Sequence, residues 1–266
     1  PDHNYGDAKV SRDVMDVARD PDVDVVVELI GGTTVAHEVM KIAIEHGKHV
    51  VTANKALIAE HGNQLIPLAE ASGVQLCFEA AVAGGIPVIK SVREALAGNA
   101  VSEVAGIING TANFILTEMS NKGRAFEEVL LEAQALGYAE ADPTFDVDGT
   151  DAAHKLVILA SLAFGAPLSI DAPAKQGIQA LTPEDLDYAK TLGYRVKHLG
   201  IARRTGGRIE MRVHPTLIPE TKQLAGIDGV LNAITVKADA VGELLLVGPG
   251  AGGSATASSV CADIID

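Results

Sequence analysis

Hydrophobic residues in the first third of the chain follow two patterns, short continuous runs and positions spaced three or four apart. The runs are rich in Val and Ile and predict buried strands over residues 23–30, 49–52 and 74–78. The spaced positions predict helices over 35–46 and 56–72, each ended by a glycine. Strands that alternate with helices of this length are typical of a doubly wound parallel sheet.

The start of this pattern lacks one expected feature. A dinucleotide-binding fold opens with a strand and a Gly-x-Gly-x-x-Gly turn, and the first 22 residues contain no such turn. Gly84-Gly85 does not replace it, because Pro87 follows and the spacing is wrong. We therefore expect residues 1–84 to be part of a Rossmann-like nucleotide-binding domain whose first portion is missing.

From residue 85 onward, helices are followed by a series of strands. The predicted helices cover 88–97, 111–121, 125–136, 148–164, 183–192 and 254–265. The predicted strands cover 101–108, 197–203, 208–214, 233–238 and 243–247. This order indicates an α+β domain with a mixed sheet over residues 85–247, after which a Gly-rich loop and a helix (248–266) return to the first domain. The predicted fold class is α/β, with a partial doubly wound domain and this α+β domain.

The composition fits a globular protein and disfavours several functions. Hydrophobic residues make up 47% of the 266 residues, and the net charge of −14 would repel the phosphates of a nucleic acid. No apolar run reaches the ~18–20 residues that a membrane span needs. Cys77 and Cys261 have no His or Cys neighbours at metal-binding spacing. So few cysteines fit a reducing cytoplasm.

The segment with the most chemical groups is acidic and leads into a helix. Five carboxylates fall within residues 140–151, and Asp151 and Lys155 lie four residues apart on one helical face. On an exposed helix such a pair is an ordinary surface ion pair. Here the neighbouring positions are apolar nearly all round, so the pair should be buried, which is costly unless a site uses it. Glu140 precedes the helix on a loop, where charged residues commonly reach a ligand.

A second candidate lies at the ends of two predicted strands. Gly31-Gly32-Thr33 and Thr52-Ala53-Asn54-Lys55 each follow a strand directly. In a doubly wound sheet the carboxyl ends of the strands line the ligand crevice, so Thr33 and Lys55 should share one rim. The alternative is that Lys55 is a solvated surface lysine.

Two Gly-rich turns complete the candidates. Glu79 precedes the turn Gly84-Gly85, where one carboxylate and free carbonyls could hold a hard cation, or where Glu79 could simply cap a helix. The loop 248–253 precedes a helix and could present backbone N–H groups to an anion, or be a plain tight turn. The histidines have no partners at catalytic spacing, and no Ser/His/Asp or Cys/His arrangement is evident.

Taken together, these residues resemble the homoserine dehydrogenase family. Its signature is matched in order by Ala133, Gly137-Tyr138-Ala139, Asp142-Pro143, Asp146-Val147, Gly149, Asp151 and Lys155. Four further stretches resemble the family: Gly31-Gly32-Thr33, Thr52-Ala53-Asn54-Lys55, Gly106-Ile107-Ile108-Asn109-Gly110-Thr111, and Gly250-Ala251-Gly252 before Thr256-Ala257. The resemblance covers essentially the whole chain. It departs at both ends, where the cofactor turn and the regulatory C-terminal domain of many members are missing.

The resemblance implies reversible hydride transfer between L-homoserine and L-aspartate 4-semialdehyde with NAD(P)(H), in amino-acid biosynthesis. It implies proton transfer by Lys155 with Asp151, and a position for Lys55 between the nicotinamide and the substrate hydroxyl. Which lysine accepts the proton stays open, as does the preference for NAD or NADP. The expected substrate-binding residues are Glu140, Asp146, Lys55, Asn109, Gly110 and Thr111. The expected cofactor-binding residues are Thr33, Lys55, Gly250 and Gly252.

Two further expectations follow from the resemblance. A structural Na⁺ is expected on Glu79 and the backbone carbonyls of Val82, Gly84 and Ile86. The α+β domain is expected to be the catalytic and dimerisation domain of a homodimer. Two alternatives stay open at this point: another semialdehyde or imine reductase, which would lack the ordered acidic signature, and a non-catalytic binding or regulatory module derived from such an enzyme.

Overall fold

The first part of the chain forms a parallel sheet between helices. The computed structural model describes residues 6–266, so residues 1–5 of the polar first segment lie outside the described part. The elements here are α1 (Val14–Arg19), β1 (Val25–Glu28), α2 (Val35–Glu45), β2 (His49–Thr52), α3 (Lys55–Ser72) and β3 (Leu76–Cys77). The strands pair in parallel in the order β1–β2–β3, as the doubly wound pattern predicts.

The second part is built on a larger sheet. A 3₁₀ turn (Glu79–Ala81) leads to α4 (Val88–Lys90), a π-helical turn (Ser91–Ala95), β4 (Val101–Ile107), α5 (Gly110–Lys122), α6 (Phe126–Ala135), α7 (Thr144–Val147) and α8 (Thr150–Phe164). There follow β5 (Ala174–Lys175), α9 (Pro183–Thr191), β6 (Tyr194–Thr205), β7 (Arg208–Pro219), a 3₁₀ turn (Gln223–Gly226), β8 (Leu231–Ala238), β9 (Gly242–Pro249) and α10 (Gly253–Ile265).

This second sheet is mixed, as predicted. Its order is β5–β7–β6–β4–β8–β9, and every neighbouring pair is antiparallel except the short parallel pair of β5 and β7. The predicted strand 208–214 was too short, because β6 and β7 stay paired from Tyr194↔Pro219 to Thr205↔Arg208. The α/β fold class is confirmed, with a parallel sheet and a mixed sheet.

Several short elements were missed or misjudged from the sequence. The weakly patterned first segment contains α1, whose N-cap Asp13 accepts a hydrogen bond from the backbone of Met15. The predicted helix 88–97 is a single α turn followed by a π turn that ends at Ala95. The elements α7 and β5 are only 4 and 2 residues long, too short to show a period.

Helix α8 packs against one face of the mixed sheet. Its Leu156 and Val157 are fully buried in one core with Val104 and Ile234 of the sheet. The helix starts at Gly149, whose φ of 89° is left-handed, and a Cβ there would lie 3.2 Å from the His198 ring. Only a glycine therefore lets α8 approach the sheet closely enough to present its first turn, which carries Asp151.

The last helix packs against the first sheet. Val260 of α10 shares a small core with Val51 of β2 and Cys77 of β3, and the backbone N–H of Gly85 bonds the carbonyl of Pro249 at 3.0 Å. The chain thus returns from β9 to the parallel sheet beside the Gly84-Gly85 turn. Among the residues that the structure describes, no helix is both long and apolar enough to cross a membrane.

Candidate active site

A cleft of about 550 Å³ lies between the loops of the two sheets. Most residues singled out from the sequence for catalysis and substrate binding line it. Its walls are formed by Lys55, Asn109, Gly110, Thr111, residues 136–140, Asp146, Asp151, Lys155, Val230, Asn232 and residues 249–252. Residues from six separate segments therefore meet in one cavity.

Asp151 connects the two candidate lysines. Its Oδ1 lies 3.0 Å from Nζ of Lys55 and its Oδ2 lies 2.7 Å from Nζ of Lys155. Lys155 reaches Asp151 from one turn further along α8, whereas Lys55 comes from the first residue of α3. The two ammonium groups are thus held by one carboxylate, an arrangement that the spacing of Asp151 and Lys155 alone did not predict.

Asn109 orients this carboxylate and a second one. Its Nδ2 donates to Oδ2 of Asp151 at 2.8 Å and to Oδ1 of Asp146 at 2.7 Å, while its Oδ1 accepts the backbone N–H of Ala112 as the N-cap of α5. Both the Nδ2 and the Oδ1 of Asn109 are therefore bonded to other groups of the protein. Asn109 acts as a support for the two acidic side chains at the entrance to α8.

The charges in the cleft are strongly coupled. Burial alone would raise the pKa of Asp151, but the ammonium groups of Lys155 and Lys55 outweigh it and hold that pKa well below its usual range. Burial raises the pKa of Asp146, and the negative charge of Asp151 adds to the effect. Asp151 is consequently the fixed anion of the site, while Asp146 is the carboxylate that protonates more readily.

Lys55 is positioned by a buried network at the end of β1 and β2. Glu28, which is 1% exposed, accepts the backbone N–H groups of Ile30 and Gly31 and the hydroxyl of Thr52. Asn54 bonds the carbonyl of Gly32 at 2.7 Å and caps α3 through Leu57. The turn after β1 and the start of α3 are thereby tied together, which fixes the backbone that carries Lys55. Thr33, on the same turn, lies outside the residues that line the cleft.

The loop before α7 supplies the outer wall. Glu140 is exposed on this loop, and its carbonyl accepts a hydrogen bond of 3.0 Å from Gln134. The hydroxyl of Thr111 donates to the carbonyl of Tyr138 at 2.6 Å. Thr111 therefore holds the loop against α5, and the carboxylate of Glu140 lies at the mouth of the cleft.

The Gly-rich loop before α10 forms the opposite wall. Gly250 packs so closely on Asn232 that a Cβ at this position would lie 2.1 Å from the Asn232 amide. A Cβ at Gly84 would likewise lie 3.0 Å from the carbonyl of Gly250. This close backbone contact explains why glycines occupy both turns, and it brings the end of β9 beside the parallel sheet.

Glu79 lies away from this cleft. Its carboxylate is 2% exposed and accepts the backbone N–H groups of Ile89 and Lys90 at 2.8 Å each, so it caps the start of α4. Burial raises its pKa. The carbonyl of Gly84 accepts a hydrogen bond of 2.6 Å from Ser259. Among the described residues there is no group of three or more His, Cys, Asp or Glu side chains that could hold a metal ion.

Sequence reasoning missed two residues of this region. Glu28 follows a run of valines at the end of a predicted buried strand. A charged residue at such a position needs hydrogen-bond partners, so the sequence could have indicated that Glu28 holds neighbouring groups in place. Asn232 is the second residue of β8 and belongs to no motif. It lies at the cleft because Gly250 and Gly110 pack close to it. No local signal identified it.

The fold and the cleft define an α/β protein with a nucleotide-type parallel sheet beside a site of two lysines on one carboxylate. Residues 87–265 match the family model described as homoserine dehydrogenase, and residues 1–79 match the model described as homoserine dehydrogenase, NAD binding domain. The chain belongs to the homoserine dehydrogenase family.

Similar proteins agree with this assignment. A homoserine dehydrogenase of Pseudomonas aeruginosa is 61% identical over 266 residues, which are 100% of this chain and 61% of that protein. One of Bacillus subtilis is 46% identical over 96% of this chain and 59% of its own. The chain therefore spans about three fifths of the length of the curated relatives it matches.

Solved structures show the same fold. A homoserine dehydrogenase from Thiobacillus denitrificans has a TM-score of 0.94 and 58% identity, covering 96% of this chain and 59% of that one. A hyperthermophilic archaeal homoserine dehydrogenase in complex with NADPH has a TM-score of 0.79 and 32% identity, covering 91% of this chain and 70% of that one.

Proposed function

We propose that this chain carries the catalytic site of an NAD(P)-dependent homoserine dehydrogenase, which interconverts L-homoserine and L-aspartate 4-semialdehyde. The observation that carries the proposal is the pair of ammonium groups, Lys55 and Lys155, held by Asp151 in a cleft. Both lysines line the cleft beside their shared carboxylate, and charged groups that face a cavity in this way fit a catalytic site better than a non-catalytic module. Family membership supports the same activity.

The residues of the cleft suit proton transfer at the substrate oxygen. When bound, a nicotinamide cofactor supplies the hydride in reduction and accepts it in oxidation. As hydride reaches the aldehyde carbon, negative charge grows on the carbonyl oxygen, and a lysine ammonium stabilises this charge and donates its proton there. Asp151 holds both lysines in place.

Either lysine can play this part. Lys155 has protein partners on two sides, Asp151 and the carbonyl of Ile108 at 2.9 Å, whereas Lys55 is the more exposed one and bonds Asp151. The pH–rate profiles of Lys55→Arg and Lys155→Arg would separate the roles. Replacing the proton donor by a guanidinium, which does not deprotonate, should remove the corresponding limb of the profile.

The direct test is turnover by the full-length protein. We expect purified protein to oxidise L-homoserine with NAD⁺ or NADP⁺ and to reduce aspartate 4-semialdehyde in the reverse reaction. A comparison of the two cofactors also settles the preference between them. A protein that binds the cofactor without turning over either substrate would instead be a regulatory module.

Glu140 and Asp146 are proposed to bind the substrate ammonium. An amino-acid substrate brings a positive charge into the cleft, and Glu140 lies at its mouth on a fixed loop. Glu140→Gln removes the charge and keeps the shape. Because a hydrogen bond to a charged group contributes roughly 1.5–3 kcal/mol, KM for homoserine should rise about tenfold or more with kcat little changed. An unchanged KM would count against this role.

The Gly-rich wall is proposed to receive the cofactor, in a nucleotide-binding unit made of residues 1–84 and 248–266. Gly-rich turns before a helix can present backbone N–H groups to an anion such as a phosphate of the cofactor. Lys55, Gly250 and Gly252 line the cleft, and Thr33 lies on the neighbouring turn after β1. The two free cysteines fit the cytoplasmic location we propose.

A structural Na⁺ at Glu79 with the carbonyls of Val82, Gly84 and Ile86 stays a proposal that rests on the family resemblance. Both Glu79 oxygens already accept backbone N–H groups, so the ion would share them with the cap of α4. The test is thermal unfolding in NaCl and in choline chloride of equal ionic strength. Equal midpoints and equal activity in the two salts would leave Glu79 as a helix cap alone.

We also propose a homodimer formed through the outer face of the mixed sheet. The inner face is covered by α8, whereas a groove of about 570 Å³ over the outer face is lined by Ala105, Leu199, Ile201, Thr235 and Leu245, with Leu217 at its rim. Leu217 is 55% exposed. Symmetric pairing is the commonest way to cover such a face, and an obligate interface would bury more than about 2,000 Å² in total.

Light scattering at micromolar concentration tests the dimer. Leu217→Glu places a charge at the rim of this groove at an exposed position, so the chain should still fold but have the mass of one copy. Leu192→Glu, at a still more exposed position after α9, should leave the dimer intact. A wild-type mass of one chain would rule the dimer out.

A further inference from the structure

Val230 is an exposed apolar side chain in the wall of the cleft. It lies on the loop before β8, it is 39% exposed, and it is one of the residues that line the cavity. The proposed function uses the charged side chains of the cleft and gives Val230 no part. An apolar side chain that faces a binding cavity gains free energy when an apolar part of a ligand covers it.

The backbone on both sides of Val230 is held in place. Asn113 of α5 is 1% exposed, and its Nδ2 lies 2.9 Å from the carbonyl of Gly229 and 3.3 Å from that of Leu231. The carbonyl of Val230 itself packs against Gly110, where a Cβ would lie 2.7 Å from it. Because these contacts fix the loop against α5, the side chain of Val230 forms a firm wall.

The start of α5 reaches the two ends of the proposed substrate site. Asn109 donates to Asp151 at 2.8 Å, the carboxylate that holds the lysine pair. Thr111 donates to the carbonyl of Tyr138 at 2.6 Å, on the loop that carries Glu140. The lysine pair is the proposed place of the substrate oxygen, and Glu140 that of its ammonium. The two polar ends of the substrate therefore lie beside the first and last of three consecutive residues.

Val230 lies beside the residue between them. Gly110 stands between Asn109 and Thr111 in the chain, and it is the residue that packs against the Val230 carbonyl. The wall that Val230 forms is therefore midway between the lysine pair and the loop of Glu140. A substrate held at both of these ends passes the valine with the middle of its carbon chain.

The chemistry of the substrate fits an apolar group at this place. L-Homoserine has a hydroxyl at one end, an ammonium and a carboxylate at the other, and two methylenes between them. Its homologue 5-hydroxy-L-norvaline has the same polar groups and one methylene more. If both ends are held, the additional methylene has to bulge from the middle of the chain, where a firm wall excludes it.

We propose that Val230 is a specificity-determining residue, whose side chain packs on the methylenes of a four-carbon 2-amino acid and excludes the five-carbon homologue. This inference rests on the proposed function and deepens it, because it assigns the length of the substrate to one side chain.

The test compares the binding of the two amino alcohols. The full-length protein is saturated with the reduced form of the cofactor that it prefers, so that neither alcohol can transfer a hydride. Titration calorimetry then gives the dissociation constants of L-homoserine and of 5-hydroxy-L-norvaline. The variants are Val230→Ala, which opens the wall, and Val230→Thr, which keeps its shape. The control is Val241→Ala, since Val241 is 48% exposed in the turn before β9 and lies outside the residues that line the cleft.

We expect the wild type to bind L-homoserine about tenfold or more tightly than its homologue, the factor that one methylene is worth in an apolar pocket. The ratio should fall to about three or less in Val230→Ala, because the space of two methyl groups accepts the additional methylene. Val230→Thr should keep the wild-type ratio within about twofold, since its side chain has the same shape. Val241→Ala should keep it as well. A general loss of stability weakens the binding of both ligands and leaves the ratio unchanged.

Three results would overturn the proposal. The first is the same ratio in the wild type and in Val230→Ala. The second is an equal fall in Val230→Ala and Val230→Thr, which would mean that the loop and not the shape of the side chain sets the length. The third is a wild type that binds neither amino acid. A wild type that shows the expected ratio but does not oxidise L-homoserine would refute the proposed function and leave the role of Val230 standing.

Discussion

Lys155 and Lys197 are both lysines that pair with an aspartate inside the protein, yet their ammonium groups are bonded differently. Lys197 is 1% exposed and lies 2.5 Å from the carbonyl of Ile227, 2.8 Å from Asp228 and 3.3 Å from Oδ1 of Asn113. An ammonium has three N–H groups, so the protein uses all of them. Lys197 is therefore closed to any ligand.

Lys155 has one N–H group left. Its two partners are the carbonyl of Ile108 at 2.9 Å and Asp151 at 2.7 Å, and the residue lines the cleft. The aspartates differ as well. The Asp151 side chain is 7% exposed and holds two lysines, whereas that of Asp228 is 40% exposed and holds Lys197 beside Arg195. Burial of a charge pair alone does not mark a catalytic site. The proposed role of Lys155 rests instead on its unused donor and on its place in the wall of the cleft.

The largest expected effect separates the two lysines by activity. Lys155→Met should lower kcat about 100-fold or more, as loss of a general acid–base group usually does, while Lys197→Met should keep kcat within a few-fold. Steady-state kinetics in both directions, at saturating homoserine and cofactor, measures the difference. Equal losses of kcat in the two variants would mean that the unused donor of Lys155 has no special part in the reaction.

The aspartates give the next effect in size. Asp151→Asn removes the charge that holds both lysines, so kcat should fall roughly 10- to 100-fold, the factor that a lost charged hydrogen bond implies. Asp228→Asn should have little effect on kcat, because its ion-pair partners Lys197 and Arg195 are not among the residues that line the cleft and Asp228 is partly solvated. If Asp151→Asn kept wild-type turnover, the lysines would not need their common anchor.

Elements long enough to show a repeating hydrophobic pattern could be predicted from the sequence, and so could residues that belong to a motif. The strand–helix alternation located the parallel sheet, and the acidic signature located α8 with Asp151 and Lys155. Lys55 and Lys155 could be recognised because each is the last residue of a motif. Their contact with one carboxylate could not be predicted, because it depends on the packing of α3 beside α8, which is a tertiary contact.

Lys197 and Asn232 show what could not be predicted. Lys197 stands in an ordinary strand pattern, and its burial depends on the loop that precedes β8, 30 residues later in the chain. Asn232 is polar at the start of a strand, where a solvated position is the usual outcome. Their surroundings come from long-range contacts between β6, α5 and β8, for which no local periodicity exists.

For the free energy of unfolding, we expect the opposite order, with the larger loss in Lys197→Met. Lys197→Met leaves the carbonyl of Ile227 and the amide oxygen of Asn113 without their donor, so the free energy of unfolding should fall by about 1–3 kcal/mol. Lys155→Met should cost less, because Asp151 keeps Lys55 and Asn109 as partners. Chemical denaturation monitored by circular dichroism gives both values. A larger loss in Lys155→Met would show that its pair is mainly structural.

The smallest effect is a pH dependence that belongs to Lys197 alone. Burial lowers the pKa of Lys197 below its ordinary value of 10.5, against the opposing charge of Asp228 and with a contribution from Arg195. The unfolded chain then holds this proton more tightly than the folded one. The resulting penalty is fully present below the folded pKa and disappears as pH rises toward the unfolded value, so stability gains with pH in that window. The free energy of unfolding of the wild type, minus that of Lys197→Met, should therefore increase as the pH rises toward the ordinary pKa of 10.5. Taking the difference cancels the titration of other groups. A flat or falling difference would mean that the charge of Asp228 fully offsets the effect of burial on the pKa of Lys197.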